Sequence, residues 1–223
     1  MLVELTLLIW NVHGLPFIGA SPENVARVLE EHPADAYFLQ EVFTSRMHRA
    51  IIKAIKPDST TWQSRSGLLH CQKGGVMPAM MLAHDNYFRQ TTYSRFDFLV
   101  RKGFISGINE HWVRVVNTHL DAGSDLTSAL VRMQQFEEIM QSLRISDDSP
   151  VIIAGDLNFK MDRVDDRFAV KKLMEKYGLT GYWVNTDFVL LKNVELVDVK
   201  TVYTEVSDHF PLIVKVRYEA DED

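Results

Sequence analysis

The sequence predicts an α/β fold in which two packed β-sheets are flanked by helices. Three observations carry this. Several β-prone runs are apolar at every position, among them Leu7-Leu8-Ile9-Trp10, Tyr37-Phe38-Leu39 and Val151-Ile152-Ile153-Ala154, and a strand apolar on both faces is covered on both faces. Helical patterns fall before, between and after the strands rather than in one block. The middle of the chain carries short β-prone runs punctuated by Gly, Pro and Asn, the pattern of an antiparallel meander and not of βαβ units.

Residues 2–10 read as a buried strand, ended by the turn chemistry of Asn11-Val12-His13-Gly14. Ser21-Pro22-Glu23 opens a helix: serine supplies an N-cap oxygen, proline suits the first helical position, and an acid favours the first turn. Val25, Val28 and Leu29 form its apolar face. Residues 36–40 are a second buried strand and 45–55 a second helix. Short strands are expected over 67–70, 76–82, 87–93, 104–108 and 112–117. A long helix over 127–143 puts Leu130, Met133, Phe136, Glu137 and Met140 at helical spacing. A buried strand over 150–154, a helix over 166–177 and strands over 186–191, 195–202 and 210–218 follow. The acidic stretch 219–223 reads as a frayed terminus.

At 223 residues the chain can bury a full core without staples. No repeat, linker or low-complexity stretch divides it, so one domain over 1–223 is expected. The single cysteine, Cys71, excludes an intramolecular disulfide and a cysteine-based zinc site. A net charge of −6 argues against tight non-specific nucleic-acid binding, which rests on basic surface. A carboxylate-rich metal site, however, makes a chain acidic by itself. No apolar run reaches bilayer length. The first ten residues carry Glu4 and no basic flank, so they read as strand rather than signal peptide. A cytoplasmic monomer is the expectation.

The informative feature is where polar residues interrupt the apolar strands. Asn11, Glu41, Asn117, His119, Asp156 and Asn158 all fall at carboxyl ends of predicted strands, where open sheets gather ligand sites. Ser207-Asp208-His209 precedes the last strand, which in antiparallel order brings it to the same rim. Each has an ordinary alternative. Glu41 could cap the following helix, Asp156-Leu157-Asn158 could be an Asx turn, Asp208-His209 could be a surface turn, and His119 a satisfied half-buried histidine. Recurrence at strand ends favours a shared site. Carboxylates and amide carbonyls suit Mg²⁺, and histidine suits proton transfer.

Taken in order, Trp10-Asn11-Val12-His13-Gly14, Leu39-Gln40-Glu41-Val42, Asn117-Thr118-His119-Leu120, Ile153-Ala154-Gly155-Asp156-Leu157-Asn158-Phe159, Thr186-Asp187-Phe188-Val189 and Ser207-Asp208-His209-Phe210-Pro211-Leu212 resemble the endonuclease/exonuclease/phosphatase superfamily, the DNase I-like fold. The segments span nearly the whole chain. Gly74-Gly75-Val76, Arg101-Lys102-Gly103-Phe104, the run Asn117 to Ala122, and Arg132 with Gln135 look closest to neutral sphingomyelinase-like members. Inositol polyphosphate phosphatases share the Gly-Asp-Leu-Asn run, but their Trp-Thr-Asp-Arg signature is here Trp183-Val184-Asn185-Thr186-Asp187-Phe188 and lacks the arginine.

The resemblance implies a four-layer αββα sandwich and a metal-dependent phosphodiesterase. It implies that Glu41, with Asn11, holds Mg²⁺ (Mn²⁺ as an alternative), and that Asp208 binds a second metal or ties down its loop. His209 would be the general base, Asp187 its tautomer-fixing partner, Asp156 the residue that orients water or shares the base role, and Asn158 and His119 donors to the phosphate oxygens. Lys102 and Arg132 read as solvated-face residues. The phosphodiester substrate is a phospholipid or a nucleic acid, with sphingomyelinase-like chemistry favoured. An endonuclease or DNA-repair phosphodiesterase is the alternative, for which Arg46, Arg49 and Lys53 offer a basic helix face beside scattered His48, Lys73, Arg89, Arg95 and Arg101. An inactive scaffold is the third reading, disfavoured because clustered carboxylates without a cation are costly. Leu15-Pro16-Phe17-Ile18 is expected to pack.

Overall fold

Strand β1 (Leu2–Asn11) sends Leu7 and Ile9 into one apolar cluster and Leu8 and Trp10 into another, all fully buried. Strand β2 (Ala36–Gln40) does the same with Phe38 on one side and Tyr37 and Leu39 on the other. This is why these runs are apolar throughout: one face meets a second sheet, the other meets helices. The computed structural model describes residues 1–63, 66–73, 84–87, 102–108 and 113–219.

The remaining strands are β3 (Ser59–Gln63), β4 (Leu68–Gln72), β5 (His84–Tyr87), β6 (Gly103–Ile108), β7 (Arg114–His119), β8 (Val151–Asp156), β9 (Thr180–Val184), β10 (Asp187–Lys192), β11 (Glu195–Thr201) and β12 (Leu212–Glu219). The helices are α1 (Pro22–Glu31), α2 (Ser45–Ile55), α3 (Leu126–Leu143) and α4 (Val164–Tyr177). One sheet runs β11-β12-β1-β2-β4-β3 and the other β5-β6-β7-β8-β10-β9. Both are mixed. Among the described residues each holds one parallel pair at its centre, β1 with β2 and β7 with β8. Helices α1 and α3 make the crossovers those parallel pairs need.

Three clusters define four layers. One lies between the sheets, one couples the first sheet to α1 and α2, and one couples the second sheet to α3 and α4. The two-sheet sandwich flanked by helices is as expected. Helix α1 starts where proposed, with Ser21 Oγ accepting from Asn24 N.

Several details differ from expectation. The central meander divides between the sheets: β3 and β4 edge the first, while β5 and β6 edge the second and lead into its central β7. Strand β3 and the largely exposed β9 have too weak an apolar alternation to stand out. Strand β5 overlaps the expected 87–93 run only at its first residue. Residues 76–82, the rest of 87–93, Gly74-Gly75-Val76, Arg89, Arg95, Arg101 and the last four residues lie outside the described set.

Helix α3 packs Phe136, Met140 and the half-buried Met133 as expected, but its buried face is wider and leaves Leu130 out. Leu130 is exposed, whereas Ala129, Arg132, Gln135, Phe136, Ile139 and Leu143 are buried. Arg132 corrects the solvated-face reading. It is fully buried, donates to Asp166 Oδ1 at 2.6 Å, and donates to the carbonyls of Asp121 (3.1 Å) and Gly123 (2.6 Å). Asp166 Oδ2 in turn accepts from Lys160 N at 3.0 Å. One ion pair thereby ties the loops that leave β7 and β8 at the same end.

Because Arg132→Met would strand the buried Asp166 carboxylate, it should cost about 3–5 kcal/mol. Urea unfolding checks this. Pairing it with Asp166→Leu should recover part of the loss, and an unchanged midpoint for the single variant would refute the assignment.

Candidate active site

The two parallel pairs end at one rim, and their last residues are polar. In the second sheet, His119 of β7 and Asp187 of β10 both lie opposite Asp156 of β8, so three strand ends set His119, Asp156 and Asp187 in a row. The close β7–β8 approach needs Gly155. Its φ is +139°, and a Cβ there would stand 2.0 Å from the Thr118 carbonyl oxygen. In the first sheet, Asn11 ends β1 and Glu41 follows β2.

Asn11 joins the two sheets. Its amide Nδ2 donates to Glu41 Oε1 at 3.2 Å and to Asp156 Oδ2 at 3.0 Å, while its Oδ1 accepts from His13 N at 3.0 Å. The side chain therefore turns its NH₂, not its carbonyl, toward the carboxylates and acts here as a bridge between them.

Glu41 takes a left-handed φ of 60°. It does not cap α2: that role falls to Thr44, whose hydroxyl accepts from Met47 N. Gly14 lets the first turn lie against Glu41, since a Cβ there would be 2.3 Å from the Glu41 carbonyl oxygen.

His209 comes from the other side of the rim. Its backbone N–H donates to Ser207 Oγ at 3.1 Å, Ser207 Oγ donates to the Asn11 carbonyl at 2.7 Å, and Trp10 Nε1 donates to the His209 carbonyl at 3.0 Å. So held, its Nδ1 meets Asp187 Oδ2 at 2.7 Å and its Nε2 lies 3.7 Å from Asp156 Oδ2. Asp156-Leu157-Asn158 is an Asx turn as well as part of the rim: Asn158 N donates to Asp156 Oδ1 at 3.1 Å, and Asn158 Nδ2 donates to the Leu120 carbonyl at 3.0 Å. His119 is buried with Nε2 3.3 Å from Asp156 Oδ2. Asp208 stands apart, exposed at the mouth, 3.4 Å from His13 Nδ1.

Two further residues belong to this neighbourhood. Lys102 is buried with Nζ against His119 Nε2, which corrects its expected solvated position. His13 lies 3.8 Å from Glu41 Oε2 through Nδ1. Sequence reasoning took His13 only as part of a turn. Its place two residues beyond Asn11, beside a glycine that permits close approach, was the available signal. Phe17 and Ile18, expected to pack, are instead exposed on the loop that follows β1. Arg46 pairs with Glu23 at 2.7 Å, while Arg49 and Lys53 are exposed on α2.

The electrostatics follow from burial and proximity. Burial, reinforced by the Lys102 charge, pushes His119 down to about 3, so it is neutral. Burial opposes the Asp156 carboxylate, but the neighbouring imidazoles and Lys102 outweigh it and hold its pKa below the ordinary value. Burial also opposes the His209 imidazolium. The Asp187 hydrogen bond and the nearby carboxylates outweigh that and hold His209 up at about 9.

The residues fit a hard divalent cation. Glu41 Oε2 and Asp187 Oδ1 are buried oxygens without hydrogen-bond partners, costly unless a cation or solvent meets them. Among the described residues, the three-residue cluster compact enough to share one ion is Asp156, Asp187 and His209. That differs from the expected Glu41, Asn11 and Asp208. An ion inside the cluster would compete with the 2.7 Å Asp187–His209 bond, whereas Glu41 Oε2 has no such bond to lose.

Residues 8–209 match the sequence profile of the Endonuclease/Exonuclease/phosphatase family. The chain belongs to that family. No curated protein sequence matches it. Among solved structures it is similar to sphingomyelinase C from Streptomyces griseocarneus (17% identity, 97% of this chain and 100% of that one, TM-score 0.66). A β toxin variant from Staphylococcus aureus with bound magnesium ions is similar too (17% identity, 97% and 100%, TM-score 0.69), as is a humanized D. rerio TDP2 (16% identity, 96% and 98%, TM-score 0.71). At these identities the likeness carries the family fold. Hydrolases acting on phosphoester bonds make up this family.

The His209 shift has a consequence for stability. Burial pushes the Asp187 carboxyl up to about 7 while its bond holds His209 up at about 9, so the two titrate as one pair, and the stability their ion pair adds is lost as pH rises through about 9. Urea midpoints of the protein in EDTA should fall over that rise. Asp187→Asn should flatten the fall and bring the His209 titration, followed by NMR, down toward its ordinary value.

Proposed function

We propose that this chain is a divalent-metal-dependent phosphodiesterase. The observation that carries the reading is the Asp187–His209 pair: a 2.7 Å bond at Nδ1 leaves Nε2 facing Asp156 across the rim. Such a pair fixes the imidazole tautomer and stabilises the imidazolium that forms on proton transfer. His209 Nε2 takes the proton of an attacking water, Asp187 holds Nδ1–H, and Asp156 orients the water from the opposite side. Asn158, with an amide proton beyond the one given to Leu120, donates to a non-bridging phosphate oxygen. His119 and Lys102 lie beneath Asp156, where a buried ammonium favours anionic charge.

Glu41 would hold Mg²⁺ or Mn²⁺, with Asn11 as the amide that orients its carboxylate, and Asp208 would close the mouth. When bound, such an ion neutralises the phosphate and stabilises the leaving oxygen. The full set of Glu41, Asp156, Asn158, Asp187, Asp208 and His209 counts against an inactive scaffold.

Sphingomyelinase-like hydrolysis of a phospholipid is the favoured substrate reading. The likeness to a sphingomyelinase C and exposed Phe17 and Ile18 beside the rim support it. Exposed Arg49 and Lys53 support the nuclease alternative.

A panel of sphingomyelin, abasic and plain DNA, RNA and inositol phosphates, each with Mg²⁺ and with EDTA, separates them. Activity should vanish on chelation, and rates unchanged in EDTA would remove the metal. His209→Ala should lose about 10²–10⁴-fold in rate while folding normally; a fully active variant would remove His209 from the mechanism.

A further inference from the structure

We infer that His13 is a nitrogen ligand to the cation held at Glu41 and turns that site from Mg²⁺ toward Mn²⁺; this rests on the reading that Glu41 holds a divalent ion. His13 has a left-handed φ of 48°, and its backbone N–H is fixed on Asn11 Oδ1 at 3.0 Å. Its Nδ1 comes to rest 3.8 Å from Glu41 Oε2 and 3.4 Å from Asp208 Oδ1. Neither is a hydrogen bond, for a charge-assisted N–H to carboxylate bond is about 2.7–2.9 Å. His209 makes such a bond to Asp187.

The longer separation to Glu41 is one that two ligands of a single ion adopt. With bonds of about 2.1 Å, ligands of one ion stand between about 3 Å apart at right angles and about 4.2 Å apart when opposed. Glu41 Oε2 is buried without a hydrogen-bond partner, and His13 Nδ1 lies 3.8 Å from it. The His13 side chain is 32% exposed, which leaves an ion a way in.

Ion choice follows from the donor set. Mg²⁺ demands near-octahedral oxygen coordination and gives up water reluctantly. Imidazole suits transition ions rather than Mg²⁺, and among transition ions Mn²⁺ is the one that shares Mg²⁺'s preference for carboxylate oxygen, as Glu41 supplies. Asn11 does not restore an oxygen, because it turns Nδ2 rather than Oδ1 toward Glu41.

The test uses the full chain stripped with EDTA and loaded with Mn²⁺. EPR titration gives Mn²⁺ affinity, competition gives Mg²⁺ affinity, and pulsed EPR reads nitrogen bonded to the bound ion. Asparagine accepts left-handed backbone, so His13→Asn keeps the turn and offers oxygen in place of nitrogen; a thermal melt verifies its fold. Wild type should show nitrogen coupling that His13→Asn abolishes and His209→Gln retains. Mn²⁺ affinity should fall at least ~10-fold in His13→Asn, since even outer-shell partners cost that much, while Mg²⁺ affinity is kept. Bound Mn²⁺ without nitrogen coupling, or coupling that survives His13→Asn and is lost in His209→Gln, overturns the inference and leaves the Glu41 reading standing. No binding of either ion to wild type overturns both.

Discussion

Each sheet has a parallel strand pair at its centre, and the two pairs pack face to face, β1 across from β8 and β2 across from β7. Their carboxyl ends fall at one rim, and the rest of the molecule is arranged by that alignment. Crossovers α1 and α3 lie on opposite outer faces, which makes the central strands apolar on both sides. Where the apolar runs stop, the chain places Asn11, Glu41, His119 and Asp156 within a few ångströms of one another across two sheets. Asn117 holds the spacing just below. Its Nδ2 donates to the Leu39 and Leu69 carbonyls at 3.1 and 3.0 Å, and its Oδ1 accepts from Gln40 Nε2 at 2.7 Å. A β7 side chain thus hydrogen-bonds to β2 and β4 of the facing sheet, satisfying polar groups that would be costly if left unpaired in this interior.

Charge is the second consequence. Glu41, Asp156, Asp187 and Asp208 converge from both sheets, and their mutual repulsion is only partly met by Asn11, Lys102 and His209. His209 therefore holds its proton up to about 9. A general base at neutral pH must be unprotonated, so the proposed role of His209 needs its proton held less tightly than the bare rim holds it. A divalent cation held at this rim, as proposed, would oppose the same carboxylate field and pull the imidazole back toward neutrality. Cation affinity and base strength are one electrostatic problem in this site.

Much of this was legible in the sequence where local chemistry and tertiary role agree. Ser21-Pro22-Glu23 begins α1 and the apolar runs around Leu7, Phe38 and Ile153 form central strands, because caps and continuous burial are local signals. Asn11, Glu41, His119 and Asp156 interrupt such runs, so they stood out, whereas Asp187 was reached only through the family resemblance. His13, Lys102 and Arg132 did not. A histidine in a turn, a lysine before a strand and an arginine in a helix all have ordinary solvated readings. Only the facing elements show that Lys102 is buried against His119 and Arg132 against Asp166. The division of the meander between sheets was equally hidden, since hairpin patterns do not say which sheet they extend.

His13, Glu41 and Asn158 all take φ between 48° and 60° at the rim. Asparagine tolerates that region, but an ordinary L-residue there costs roughly 1–2 kcal/mol. At Lys56 and Arg144 the same conformation ends helices, where left-handed residues are expected. No helix ends at His13 or Glu41. Glycine would relieve both positions, so stability alone does not account for a histidine and a glutamate in them. What distinguishes the two is that their strained turns bring Nδ1 and Oε2 to within 3.8 Å of each other. Strain of this kind persists where the surrounding structure over-determines it, and here the Asn11 bridge and the close fit of Gly14 against Glu41 do so.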